Sequence, residues 1–301
     1  MLNQNIATRT ERPLGRRPFL TTAPDLANVI PLREEDRDEM LGFLNFRPVH
    51  TVVMTSFIQD NGVESELNRG KFYGYYNCSG RLEGIALIGH TTLVEARSEK
   101  ALKALAFKAR TSETPINLIM SSGQEAEEFW SFYTDGIREP RLTCTELLFE
   151  LHFPFLVPDC DREIREASLD ELEQVAEAQA AIAFMESGID PMARDREGFL
   201  KRCARRIEQG RTYVVVENGK LIFKADIVAE TSETVYLEGV YVAPEFRGQG
   251  IGSGCLAELT LDILKRVPNV CMLSNINFIE AHLSYIRAGF RNTDFCTTLF
   301  V

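Results

Sequence analysis

Leu237-Glu-Gly-Val-Tyr-Val-Ala-Pro-Glu-Phe-Arg-Gly-Gln-Gly-Ile-Gly252 is the stretch on which the reading of this chain turns. A strand ends at Val242, Ala243-Pro244 begins a turn, and Gly248, Gly250 and Gly252 bring backbone N–H groups together at a helix start. Such a turn cradles an anion, because its amides point outward and the helix dipole is positive there. A phosphate or pyrophosphate fits. A Walker loop would need a Gly-Lys-Ser/Thr ending, and there is none. A dinucleotide fingerprint needs glycine at its sixth position, but counting from Gly248 that residue is Ser253 and from Gly250 it is Cys255.

Around this stretch the C-terminal half reads as an alternation of strands and helices. A strand near Arg162–Glu166 precedes Ser168-Leu-Asp-Glu171, a capping box whose two side chains satisfy free N–H groups at a helix start. Leu172, Val175, Ala176 and Ile182 follow at helical spacing; a second helix carries Phe199, Leu200, Cys203, Ala204 and Ile207, closed by Gly210. Thr212–Glu217 and Lys220–Val228 form a hairpin about Asn218-Gly219, the pair suited to a type I′ turn. Leu221, Phe223, Ala225 and Ile227 are expected on one face of its second strand. Then come a strand over Thr234–Val242, the glycine turn, a helix from Gly250 to about Arg266, a strand over Val270–Asn275, a helix over Asn277–Ala288 and a terminal pair of strands.

The N-terminal half repeats part of this order: a hairpin (Phe72–Asn77 and Arg81–Gly89), a strand near Thr91–Glu95, a helix near Ser98–Lys108, a strand over Pro115–Met120, a helix over Gln124–Tyr133 and a strand over Thr143–Leu151. The pattern implies a duplicated fold. His152–Asp161, with two prolines, reads as the junction. The expected layout is a disordered start over 1–20, one domain over 21–155 and a second over 156–301.

The 301 residues suit two domains of ~150 each. No apolar run approaches the ~18 residues of a membrane helix. A net charge of −11 argues against a nucleic-acid backbone as partner and leans toward a cationic one. Seven widely spaced cysteines with no CxxC pair argue against a disulfide framework or a zinc site, so a cytoplasmic location and no metal are expected. Residues 1–20 carry Arg9, Arg12, Arg16 and Arg17, a weak likeness to a transit peptide, though a disordered start fits better.

Arg247-Gly-Gln-Gly-Ile-Gly252, with the preceding Val-x-Pro-Glu-Phe, resembles the Arg/Gln-x-x-Gly-x-Gly/Ala motif of GCN5-related N-acetyltransferases (GNAT). A second signature of that superfamily, Ala-x-x-x-Tyr-x-x-x-Gly-Phe, is matched by Ala281-His-Leu-Ser-Tyr285-Ile-Arg-Ala-Gly289-Phe290. The resemblance covers about the last 140 residues. It implies an α/β (α+β) fold of two tandem GNAT-like domains, each a mixed twisted sheet flanked by helices, with the N-terminal one degenerate. It also implies an acyltransferase that moves an acetyl group from acetyl-CoA to a primary amine, by direct attack in a ternary complex.

By the same resemblance, the backbone of Val240, Tyr241 and Val242 would border the pantetheine arm, with Val240 and Val242 bonding it like an added strand. Amides from Arg247 through Gly248, Gln249, Gly250, Ile251 and Gly252 to Ser253 would hold the pyrophosphate. The superfamily's usual Asn three residues before the Ala is Phe278 here, which leaves Asn275 or Asn277 to meet the cofactor. Tyr285 reads as the acid for the leaving thiolate, or as a core aromatic. Glu238 reads as a general base, or as a strand-edge charge; without a bulge it shares a face with Val240 and Val242. Glu186 and Asp190 read as contacts to a cationic acceptor, or as a helix end and an Asp-Pro turn. Lys224 reads as an exposed strand lysine, and Cys255 as a core thiol. The acceptor is a small-molecule or peptide amine, with a homodimer left open. Two other readings stand beside catalysis: a non-catalytic acyl-CoA sensor, and a scaffold that binds partners through the degenerate half. That half has Leu93-Val-Glu-Ala-Arg-Ser-Glu-Lys100 where the glycine turn should fall, and Glu95 and Glu99 would repel a pyrophosphate.

Overall fold

A computed structural model describes residues 26–153 and 160–301. The expectations for residues 1–20 and for the boundary at 155/156 lie outside them. The N-terminal half runs β1 (Val29–Pro31), α1 (Arg37–Leu44), α2 (Val52–Asn61), β2 (Gly70–Tyr76), β3 (Leu82–Gly89), β4 (Thr91–Ala96), α3 (Glu99–Ala109), β5 (Leu118–Ser122), α4 (Glu125–Thr134) and β6 (Leu142–Leu151). The C-terminal half repeats that order: β7 (Arg165–Glu166), α5 (Leu172–Ser187), α6 (Pro191–Glu208), β8 (Thr212–Glu217), β9 (Lys220–Glu230), β10 (Val235–Val242), α7 (Ile251–Ile263), β11 (Val270–Asn275), α8 (Ile279–Arg287) and β12 (Arg291–Phe300). The local signals hold: the Ser168/Glu171 capping box forms, and Asn218 and Gly219 take φ of 50° and 76° at the hairpin turn.

All twelve strands lie in one sheet, ordered β1-β2-β3-β4-β5-β12-β6-β11-β10-β9-β8-β7. The expected terminal pair of strands is instead the single strand β12, and its partners come from the other half. β12 pairs antiparallel with β5 and β6, while β6 pairs antiparallel with β11 and β12. Each half therefore places its last strand inside the sheet of the other. The physical reason is that a lone β12 beside β11 would leave an unsatisfied ladder, which β6 fills along its whole length.

Both faces of the sheet are covered. Phe223, Ala225 and Ile227 of β9 pack with Ile251, Cys255 and Leu259 of α7. The intervening Lys224 and Asp226 lie beneath α5 and α6, where they meet Gln179 and Arg206. Leu221 does not join the Phe223 face. A bulge lets Val216 pair with Leu221 after Val215 pairs with Phe223, and Leu221 packs with Val175 and Ile207. Helix α2 lies beside α6: Asp60 takes two bonds from Arg211, at 2.6 and 3.0 Å, and Asn61 accepts one from Arg205 at 3.1 Å. Among the described residues no helix is long and apolar enough to cross a membrane.

Candidate active site

Strands β10 and β11 run parallel for three rungs only, Val235↔Val270, Tyr236↔Cys271 and Leu237↔Met272. Beyond them β10 continues to Val242, still paired to β9 (Tyr241↔Lys224, Val242↔Phe223), but no longer to β11. A gap thus opens at the carboxyl ends of two parallel strands, the place where ligands bind in such sheets. The Ala243 amide donates to Ile222 on the β9 side. By strand alternation Tyr241 also faces β9, so the backbone groups of Val240 and Val242 face the gap. The Val242 carbonyl, pointing there, accepts a 2.9 Å bond from Arg247 Nε.

At the end of the gap lies the glycine turn. Gly248 and Gly250 adopt φ of 75° and 81°, a backbone that favours glycine, and a Cβ on either would meet open space. The carbonyl of Gly250 accepts from the Gly254 amide and from the Ser253 hydroxyl at 2.9 Å. The N–H groups of Gly248, Gln249, Gly250, Ile251, Gly252 and Ser253 find no acceptor among the described residues. A thirteen-residue helix starts there, so its dipole adds to the same attraction for an anion. Gly252 fits close on the strand, its Cβ position 3.1 Å from Val242 Cγ2. The Gln249 side chain is tied back, its Nε2 donating to the Glu245 carbonyl at 3.0 Å.

A bulge sets the two sides of the gap apart. Glu238 pairs with Asp226 and Tyr241 with Lys224, so β10 advances three residues for two on β9. Gly239 absorbs the difference at φ 65°. Glu238 therefore does not share a face with Val240 and Val242. They pack toward α7, while Glu238 lies on the face of Asp226, under α5 and α6. A side chain at 239 would strike Lys224: its Cβ would fall 2.5 Å from Gln179 Oε1 and 2.7 Å from Lys224 Nζ.

Lys224, expected on an exposed face, is fully buried. Its ammonium donates to Asp226 and Gln179, each at 2.7 Å, and to the Gly239 carbonyl at 3.2 Å. Asp226 also accepts from Arg206 at 2.8 Å and from the Thr212 hydroxyl at 2.9 Å. Although burial opposes its charge, the Lys224 and Arg206 cations hold its carboxyl below the usual range. The exposed reading failed because the polar face of β9 is roofed by helices rather than water.

Glu238 is partly buried, and burial raises its carboxyl above the usual range although Arg206 and Lys224 act against the rise. Glu186, at the end of α5, is raised to about 8 by burial and by the nearby Glu238 and Glu146. Glu146, absent from the sequence reading, stands on the exchanged strand β6; burial raises it to about 7, against the bond it accepts from the Thr298 hydroxyl. Nothing local in Thr143–Leu151 marks it, since only the strand exchange carries it to this site. Asp190 accepts from the Met192 amide at 2.8 Å and caps α6.

Tyr285 lies across the sheet from these acids. It packs edge-on to Phe149, with ring centroids 5.6 Å apart, and burial pushes its phenol up to about 12, against a bond with Ser274. The Asn275 side chain accepts from the Asn277 amide at 3.0 Å, closing a turn, and its carbonyl lies 3.0 Å from His282 Nε2; Asn277 is exposed. Cys255 is fully buried in the core, and burial pushes its thiol up.

These features define a class: a duplicated mixed-sheet fold with a split between two central parallel strands and an anion cradle at its end. The family model of the acetyltransferase (GNAT) domain matches residues 208–292. That match spans part of the C-terminal half, and the whole chain has the tandem GNAT fold. No curated protein matches it. Among solved structures, it is similar to a GNAT-family acetyltransferase from Colwellia psychrerythraea, at 14% identity and a TM-score of 0.58 over 91% of this chain and 99% of that one. It is also similar to a Drosophila protein, at 12% identity and a TM-score of 0.65 over 91% and 98% of the two chains. A tandem GNAT protein from the clavulanic acid biosynthesis pathway aligns at 14% identity and a TM-score of 0.55, over 91% and 97%.

Proposed function

We propose that this chain is an N-acetyltransferase that transfers the acetyl group of acetyl-CoA to a primary amine, by direct attack in a ternary complex. The observation that carries this reading is the parting of β10 from β11 after Leu237↔Met272, with unpaired amides at one end and carboxyl groups on the far face. Bound acetyl-CoA supplies an activated thioester carbonyl. Val240 and Val242 extend the sheet to its amide-bearing arm, and the amides from Gly248 to Ser253 face its pyrophosphate. Glu238, its carboxyl raised above the usual range by burial, accepts the proton that the attacking ammonium must lose. Tyr285, held protonated at neutral pH, donates to the departing thiolate from the opposite face.

The test is release of free thiol from acetyl-CoA in the presence of a panel of amines. Tyr285→Phe is expected to lower kcat by ~10²-fold while leaving the KM for acetyl-CoA within about twofold. An unchanged kcat would remove Tyr285 from the reaction.

A further inference from the structure

Cys160 and Cys255 stand 95 residues apart in the chain and touch in the fold, with their sulfurs 3.7 Å apart. Both thiols are free. Cys255 lies early in α7 and is fully buried, in one core with Ile251 and Leu259. Cys160 precedes β7, outside any helix or strand, and is only partly buried; with Ile164 it packs on that same core. Its thiol also meets the Arg162 carbonyl at 3.7 Å, and Arg162 is paired with Glu217 of β8, which anchors this stretch of chain. Sequence spacing hides the pair, because only the packing of the chain before β7 against α7 brings the two thiols together.

One sulfur of the pair is thus open to solvent and the other is not. A disulfide needs about 2.05 Å between sulfurs, so a gap of about 1.6 Å remains to be closed. That movement falls to Cys160. A helix in a close-packed core holds Cys255 in place, whereas Cys160 sits on irregular chain at the edge of that core. Burial also pushes the Cys255 thiol up, so an oxidant meets Cys160 first.

We propose that Cys160 and Cys255 form a reversible oxidation site, at which a peroxide converts the pair to a disulfide that staples the chain before β7 to α7. The Cys160 sulfur, as thiolate, attacks one oxygen of hydrogen peroxide; the O–O bond breaks, and the other oxygen leaves as water with the proton that Cys160 gave up. Cys160 is then a sulfenic acid. The Cys255 sulfur attacks the Cys160 sulfur, the S–O bond breaks, and the oxygen leaves as a second water with the Cys255 proton. Two thiols and one hydrogen peroxide give one disulfide and two waters. The new bond closes a loop that holds α5, α6 and strands β8 to β10, so it limits the unfolded chain and stabilises the folded one. This inference stands apart from the acetyltransferase reading.

The test is mass spectrometry of the full chain after exposure to hydrogen peroxide, digested without reduction, with Tm followed by circular dichroism. The wild type is expected to yield a peptide pair joined through Cys160 and Cys255, with the loss of two hydrogens. Its Tm should rise by at least about 3 °C, and dithiothreitol should reverse both changes. Cys160→Ser, at the partly exposed position, should form no joined pair and show no rise in Tm. Cys255→Ala should instead collect oxygen on Cys160. A wild type in which Cys160 gains oxygen without joining Cys255, in which neither thiol reacts, or in which other cysteines are joined instead overturns the inference. So does a Cys160–Cys255 bond that leaves Tm unchanged or lowers it, since the staple would then be absent or strained.

Discussion

Strands β4 and β5 pair in parallel over Thr91↔Leu118, Thr92↔Ile119 and Leu93↔Met120, and then part. Strands β10 and β11 pair over three rungs and part in the same way. In the N-terminal half side chains bridge the lips of the gap, and the cleft of about 490 Å³ beyond it, between α3 and α4, is lined by Glu99, Glu125 and Glu128. The Ser121 hydroxyl donates to the Val94 carbonyl at 2.8 Å and lies 2.9 Å from Glu125. Arg47 crosses to Glu95 at 3.2 Å and to Ser122 at 2.9 Å. Helix α3 starts with a Ser98 cap that already engages the Ala101 amide, followed by the acidic Glu99. In the C-terminal half Arg247 meets only the Val242 carbonyl, and the turn is glycine with its amides left open. The fold makes the gap twice; side chains at its lips decide whether the chain or a ligand completes the strand ladder.

The most severe way to break this comparison is to separate the halves. A fragment of residues 156–301 lacks β6, so β11 and β12 lose the strand that joins them. It is expected to show no cooperative thermal transition as a monomer, measured by circular dichroism alongside its sedimentation. A folded monomeric fragment that binds acetyl-CoA would contradict the shared-sheet account. A smaller effect is expected inside the C-terminal half. Lys224→Met strips Asp226 of one of its two cations in a buried site and should cost about 3 kcal/mol in urea unfolding. A change under ~0.5 kcal/mol would mean that the network is not a determinant of the β10 bulge.

The smallest effect is one of pH. Glu146 and Glu186 titrate near 7 and 8 as parts of one interacting set, against 4.5 when unfolded. The folded state thus holds protons that the unfolded state has released. The stability this contributes is fully present below about pH 4.5 and is lost as pH rises to about 8. Tm should therefore be higher at pH 6 than at pH 8.5, and Glu146→Gln should flatten the difference. A Tm that rises over this range would show that the acids are not buried together. The N-terminal gap sharpens the test: Glu125 is also raised, to about 7, so Glu125→Gln should remove a separate part of the slope.

Much of this was legible in sequence because it is local. The Gly248–Gly252 turn, the Asn218-Gly219 hairpin and the Ser168/Glu171 box are set by backbone conformation and short-range bonds, and each stands where its residues put it. What was missed is non-local. β1, α1 and α2 went unread, although Met40, Phe43 and Leu44, and then Val52, Met54 and Ile58, carry apolar spacing on buried faces. Lys224 looked exposed because alternation along β9 does not tell water from a helical roof. Leu221 was placed on the wrong face by a bulge that shifts the period of two by one residue, and a second bulge, at Gly239, meets the condition under which Glu238 leaves the face of Val240 and Val242. Glu146 has no local signature, because its neighbours across β6 are supplied by the other half of the chain.

The most direct test of the central claim is calorimetric titration of acetyl-CoA into the wild type and into a Gly250→Glu variant, with folding of the variant checked by its circular dichroism. The substitution places a carboxylate among the open amides. The account predicts micromolar binding at one site per chain, because the N-terminal gap is bridged by side chains and its cleft is lined by acids, and loss of that binding in a folded variant. Two sites per chain, unchanged binding to the variant, or no binding to the wild type would contradict it.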